Sequence, residues 1–184
     1  MVNNIFIDPL IIFKGQTKRC INNIPESDTY NLSFQKNAWC DEDQFIKFIS
    51  SFPNDKKILL ICDNFGSHKT QKVKDFMNKE CPLIDILLLP PNTTSILQPL
   101  DVSINKPFKT FIKNQYMDWL IQYYDDNKLL PKLNKNDRNK LLVEWISTSW
   151  ERINTEMITK SFNLCGYGFH EDIEPVWKKY YKIE

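Results

Sequence analysis

Asp63 and Asp101 are the residues on which this sequence can hang chemistry. Asp63 directly follows the apolar run ILLIC at 58–62, and Asp101 stands 38 positions further on, after a second apolar run and a loop. Open α/β folds bind ligands at the carboxyl ends of their parallel strands. One βαβ crossover of this length can return the second carboxylate beside the first. Two facing carboxylates repel unless cations lie between them. Mg²⁺ suits that role, because it takes oxygen ligands and keeps several waters for a substrate to displace. Two such ions about 4 Å apart activate an attacking water and stabilise the leaving 3′-oxygen of a phosphodiester. The same placements also serve structure alone, with Asp63 capping a turn and Asp101 in a first helical turn favoured by the dipole. Spacing leaves both readings open.

Positioning these acids requires a sheet and helices to cover it. Residues 58–62 are apolar throughout, which predicts a central strand buried on both faces. After Ser67 a helix to about residue 79 would bury Val73, Phe76 and Met77, and residues 84–89 read as the next strand. Strand, helix and strand in this order give a parallel βαβ unit. Upstream, short β-prone runs occupy 5–7, 10–13 and 32–34, with a polar loop over 14–30. Asp41 and Gln44 form a capping-box pattern ahead of a helix predicted over 42–52, carrying Phe45, Phe48, Ile49 and Phe52 inward. From Phe108 the pattern turns helical, with Phe108, Phe111, Ile112, Trp119, Leu120 and Tyr123 on one stripe. A basic loop then leads to a helix with Leu142, Trp145, Ile146 and Trp150 inward. A last helix, capped by Asn154 or Thr155 and ending at Gly166, would turn Met157, Ile158 and Phe162 inward. The spacing of Trp145, Trp150 and Trp177 suits core positions.

Composition narrows the alternatives. The 184 residues are 42% hydrophobic and 26% charged, as in an ordinary globular domain rather than a disordered chain. Only 4 glycines are present, and neither a P-loop nor a dinucleotide fingerprint occurs. The 24 basic and 23 acidic residues nearly cancel, so any nucleic-acid affinity must come from a local patch. Five scattered cysteines without a Cys-x-x-Cys pair, and two histidines (His68, His170), supply a zinc site poorly and read as free thiols in a reducing compartment. No apolar run approaches the roughly 20 residues of a membrane span, and the N-terminus lacks a signal-peptide pattern. The expectation is an intracellular, soluble protein.

The words around the two acids carry a resemblance. ILLICDNFGSH at 58–68 and ILLLPPNTTSILQPLD at 86–101 resemble the DDE-superfamily endonuclease domain of pogo, Tigger and jerky transposases, the group that includes centromere protein B. PLIIFKG at 9–15, Asn37-Ala38-Trp39 and residues 144–166 are similar to further segments, so the resemblance runs over about 6–168. It implies an RNase H-like fold and Mg²⁺-dependent cleavage and joining of DNA strands, with Mn²⁺ as a substitute ion. Asp63 then matches the second catalytic acid and Asp101 the third, and both would ligate metal. The first acid of such proteins lies upstream of the segment that PLIIFKG matches. Asp8 directly precedes that segment, too late to be this acid. The chain is therefore expected to lack the opening strands, the first acid and the helix-turn-helix region.

The resulting expectation is α/β: a partial RNase H-like core over 1–124, with residues 125–184 as its C-terminal helical extension. Its function is expected to be DNA binding in the nucleus by a catalytically incomplete remnant. The rivals are an active nuclease whose first acid comes from elsewhere, and a protein-interaction module self-associating through an exposed sheet edge. Around the acids, Asn64 and His68 would support Asp63 from behind, or serve as turn and helix-start residues. Lys106, Lys109 and Lys113, and in the basic loop Lys132, Lys135 and Arg138, are the candidate phosphate contacts, or else ordinary solvated charge. Two departures from the family stand out. Pro107, six residues after Asp101, predicts a kink or a fresh helix start at Phe108. Phe65-Gly66 stands where relatives have a small residue and proline, and is expected to be tolerated.

Overall fold

A computed structural model describes residues 7–168 together with 175, 176 and 178; residues 5 and 6 of the first β-prone run, His170 and Trp177 lie outside them. The chain divides into two units, each assembled from separate segments: residues 1–7, 40–104 and 155–184 in one, residues 8–39 and 105–154 in the other. Both units draw on residues either side of 124. Mixed helix and sheet is what the sequence pattern predicts, and it is what forms.

In the second of these units, β1 (Leu10–Lys14) pairs in parallel with β2 (Asn31–Gln35), with Phe13 opposite Phe34 and Lys14 opposite Gln35. The predicted loop between them is an ordered crossover. It holds a 3₁₀ turn (Lys18–Cys20) and buries Ile21 and Ile24 against Ile11, Phe13 and Val143.

In the first unit, α1 (Glu42–Ile49) starts as the capping box predicts, with Asp41 Oδ1 accepting from the Gln44 amide at 3.1 Å. It ends at Ile49 rather than 52, the chain continuing in tight turns that carry Ser50, Ser51 and Phe52. β3 (Ile58–Cys62) pairs in parallel with β4 (Ile84–Leu88), from Ile58 opposite Ile84 to Cys62 opposite Leu88. The crossover runs through a 3₁₀ turn (Gly66–Lys69) and α2 (Gln71–Glu80). This helix starts later than the sequence pattern suggests, because the Thr70 hydroxyl takes the cap role and accepts from the Val73 amide. Alternation sends Ile58, Leu60, Cys62, Ile84, Ile86 and Leu88 into a core with Phe45, Ile49 and Val73.

β3 is not buried on both faces. Among the described residues each sheet has two strands, and Leu59 is 61% exposed on β3, as Leu87 is 42% exposed on β4. Among the described residues Leu59 and Leu87 are left uncovered, so at these positions the apolar run reports β-propensity and not burial.

Past β4 comes a short helix, α3 (Thr94–Leu97), then a π-helical turn over Leu100–Ile104. α4 (Asn105–Asn127) follows directly and belongs to the second unit. Pro107 therefore neither ends the helix nor restarts it at Phe108. It lies inside a helical run that is unbroken from the π-helical turn into α4, and its missing N–H leaves a carbonyl of that turn without the usual backbone donor. The irregularity is taken up just upstream as the wider turn.

α5 (Lys135–Glu151) begins with Asn134 capping the Asp137 amide, so Lys135 and Arg138 lie on a helix and Lys132 alone remains in the preceding loop. Its buried positions are Asn139, Val143, Ser147 and Ser149, while the predicted Leu142, Trp145, Ile146 and Trp150 are half-buried flanks. Small polar residues at the centre let partners approach. The Ser147 hydroxyl meets that of Thr29 at 2.9 Å, Asn139 donates to the Cys20 carbonyl, and Gln115 of α4 donates to the Ser149 hydroxyl at 2.7 Å. Rings of α4 and α5 pack around these bonds, Phe108 against Trp150 and Trp119 against Trp145.

α6 (Thr155–Leu164) belongs to the first unit and ends before Gly166 at φ 82°, as the sequence predicts. Phe162, however, is 39% exposed, and Ser161, Asn163 and Cys165 are buried instead. Truncating Ile49, fully buried beneath β3, is expected to cost about 2–5 kcal/mol of unfolding free energy in Ile49→Ala. Urea denaturation of both proteins checks this; an unchanged midpoint would refute the assigned core.

Candidate functional site

Asp63 owes its position to the strand ladder. Cys62 is the last residue of β3, and its carbonyl accepts from the Leu89 amide at 2.8 Å, so Asp63 is the first residue to leave the sheet. The chain then turns at Phe65 into the 3₁₀ turn, which returns His68 to the same spot. His68 Nδ1 lies 3.1 Å from Asp63 Oδ1 and 3.3 Å from the Asp63 carbonyl oxygen. A carbonyl oxygen can only accept, so Nδ1 carries a proton and donates to it. Phe45 stacks on the imidazole at 4.1 Å between centroids and Phe65 meets it edge-on at 5.8 Å. The Ser67 hydroxyl anchors the turn on the Cys40 carbonyl at 2.8 Å. The ring is thus held from three sides.

Asn64, the other residue expected behind Asp63, points its side-chain oxygen to Lys69 Nζ at 2.9 Å. The thiols beside the site are held protonated. Burial, then the charge of Asp63, pushes the Cys62 thiol up to about 12, and burial followed by Asp41 and Asp63 raises that of Cys40.

Asp101 is placed differently. It lies 13 residues past the end of β4, on the π-helical turn, and is exposed. The path to it is fixed by local bonds. Thr93 donates to the Pro90 carbonyl, Asn92 adopts φ 63°, and the Asp101 amide donates to the Gln98 carbonyl at 3.0 Å. Two residues from the closing segment hold the same stretch. The buried Ser161 hydroxyl donates to the Pro99 carbonyl, and the Tyr167 hydroxyl donates to the Leu97 carbonyl at 2.9 Å. Sequence reasoning missed both. Ser161 reads as a neutral residue on a helix, and the only signal was its place in a segment similar to the family's closing helices.

Both acids therefore follow the carboxyl ends of two strands paired in parallel, within one unit. Their chemistry fits Mg²⁺, which is commonly bound through one or two carboxylates with water and phosphate oxygens completing the shell. No group of three or more His, Cys, Asp or Glu is gathered as a metal cage among the described residues. Lys106, Lys109 and Lys113 are exposed on α4, and Lys132, Lys135 and Arg138 are exposed before and along the start of α5, all in the other unit. Of these, Lys135 reaches the Lys14 carbonyl at 3.4 Å.

Comparison with known proteins bears on this arrangement. The DDE superfamily endonuclease family matches residues 4–162. A human protein named pogo transposable element with KRAB domain is 32% identical over 123 residues, 65% of this chain and 20% of the relative. Its mouse counterpart is 35% identical over 108 residues, 58% of this chain and 17% of that protein. CENP-B homolog protein 2 of Schizosaccharomyces pombe is 23% identical over 114 residues, 59% of this chain and 21% of the relative. The chain thus spans about a fifth of the length of these relatives. No solved structure matches it. With the family match running through both acids and nearly the whole sequence, this chain belongs to the DDE superfamily endonucleases, among relatives of the pogo and CENP-B kind.

Proposed function

We propose that this chain is a transposase-derived, DNA-binding domain in which Asp63 and Asp101 are two of the three acids of a DDE site. Its core is RNase H-like over residues 1–124, and residues 125–184 are the helical extension of that domain. The observation that carries the reading is the Asp63–His68 pair at the carboxyl edge of β3, inside the family-matched segment.

Within such a site His68 orients Asp63 by donating from Nδ1, and Ser161 and Tyr167 hold the backbone that presents Asp101. Asp63 and Asp101 would hold Mg²⁺ or Mn²⁺, which supplies an activated water and stabilises the leaving 3′-oxygen. With Asp63 and Asp101 as the two matched acids, DNA binding without turnover is the activity proposed for these 184 residues, in the nucleus, where such a target lies.

Lys132, Lys135 and Arg138 are the proposed phosphate contacts. Replacing all three by Gln is expected to weaken retention of duplex DNA and to lower the slope of log affinity against log salt by about 2–3. Anisotropy titration at several salt concentrations measures this, and unchanged affinity removes the assignment. In a plasmid-nicking assay with Mg²⁺ or Mn²⁺, the chain and its Asp63→Asn variant are both expected to be inactive. Nicking abolished by Asp63→Asn would instead establish the rival reading, an active nuclease.

Self-association is a second reading, favoured by one observation. Both sheets have two strands among the described residues, so each strand offers an edge to another chain. Light scattering at increasing concentration is then expected to show a dimer, and a monomer throughout would dismiss it.

A further inference from the structure

At the carboxyl end of β2 the chain turns back through Lys36, Asn37 and Ala38, and presents Trp39 with 60% of its surface exposed. The turn is tied from within. Gln35 Oε1 accepts from the Asn37 amide at 2.6 Å and from the Trp39 amide at 3.2 Å, while the Gln35 carbonyl accepts from the Ala38 amide at 3.0 Å. Ala38 sits at φ 59°, in the left-handed region that a residue with a Cβ avoids. Residues held there persist where the surroundings over-determine them, and they cluster at binding sites. A large aromatic residue thus stands on a clamped, strained turn with most of its surface exposed.

Three lysines flank this turn within its unit. Lys14 ends β1 opposite Gln35, and the Gly15 amide donates to the Gln35 carbonyl at 3.0 Å, so the two strand ends lie side by side. Lys135 Nζ lies 3.4 Å from the Lys14 carbonyl, which brings the first turn of α5 to the same edge. Lys14, Lys36 and Lys135 are all exposed. Asp41, Glu42 and Asp43 follow in the other unit, where Asp41 caps α1 and Lys72 pairs with Glu42 at 3.8 Å and with Asp43.

A fixed aromatic face with amines on the same edge is the combination by which proteins hold unpaired nucleic-acid strands. The ring stacks on a base, and the cations follow the backbone. A tryptophan anchoring a protein partner would need no such cations. We propose that Trp39 is a stacking platform for an unpaired base of DNA, with Lys14, Lys36 and Lys135 on the flanking phosphates. The inference rests on the DNA-binding reading and deepens it, giving the domain a preference for open strands over duplex.

Anisotropy with a fluorescein-labelled oligothymidylate and with a blunt hairpin duplex tests it on the full chain. Trp39→Ala is expected to weaken oligothymidylate binding about tenfold, and to leave the hairpin affinity unchanged. Trp39→Tyr should keep most of the affinity, whereas Trp39→Leu, apolar but without a π face, should lose it. This pair carries the test if the alanine variant fails to fold. The double variant Lys14→Gln, Lys135→Gln should lower the salt slope for the oligonucleotide by about 1.4. Equal oligothymidylate affinity in the parent and in Trp39→Leu overturns the platform while leaving DNA binding standing. So does an equal loss for both probes. Failure of the parent chain to bind either probe overturns the DNA-binding reading, and the platform with it.

Discussion

Backbone pairing between β3 and β4 constrains most of what surrounds Asp63 in its unit. Parallel strands cannot be joined by a tight hairpin, so the intervening residues must climb back across one face of the pair. They do so as the 3₁₀ turn and α2, and the return fills the space over the sheet with Val73, Phe76 and Met77. Register follows from the same packing. A slip of one residue would carry Ile58, Leu60 and Cys62 away from Phe45 and Ile49 and put Leu59 and Ile61 in their place. The ladder then decides where Asp63 emerges, because its last bond is made at Cys62. Even the imidazole beside that carboxylate belongs to the crossover, arriving on the turn that precedes α2.

Asp101 cannot be fixed in this way. Twelve residues separate it from the end of β4, enough chain to wander unless other bonds restrain it. Proline at 90, 91 and 99 narrows the backbone choices. The Ser161 and Tyr167 hydroxyls take up carbonyls at 99 and 97. The first of these closes the junction before the π-helical turn and the second ends α3, so the two bonds tie that junction to α6 and the residues just after it. The π-helical turn is then a compromise: Asp101 sits on a helical stretch already anchored behind it, and Pro107 must be accommodated ahead.

Local signals were the legible part. The Asp41–Gln44 cap, the strand at 58–62, the stop at Gly166 and the helical run beyond Pro107 all announce themselves within a few residues, by cap chemistry or periodicity. What misled was reading burial from apolarity. Leu59 and Phe162 are apolar and exposed, while Ser149 and Ser161 are polar and wholly buried. Burial depends on whether another element covers a position, which no window of sequence contains. Ser149 is buried because Gln115 reaches it from α4, and Ser161 because a proline carbonyl needs a donor. The words around Asp63 and Asp101 carry the family in the sequence itself. The supports from α6 were not legible in this way, since a lone serine on a helix carries no motif.

The Asp63–His68 contact shows how packing serves position at the end of β3. His68 Nδ1 donates to the Asp63 carbonyl at 3.3 Å and lies 3.1 Å from Oδ1 of the same residue. Phe45 stacks on the imidazole and Phe65 meets it edge-on, so the ring cannot swing away from Asp63 without giving up both aromatic contacts. Phe65, the departure from the family pattern, becomes part of that packing.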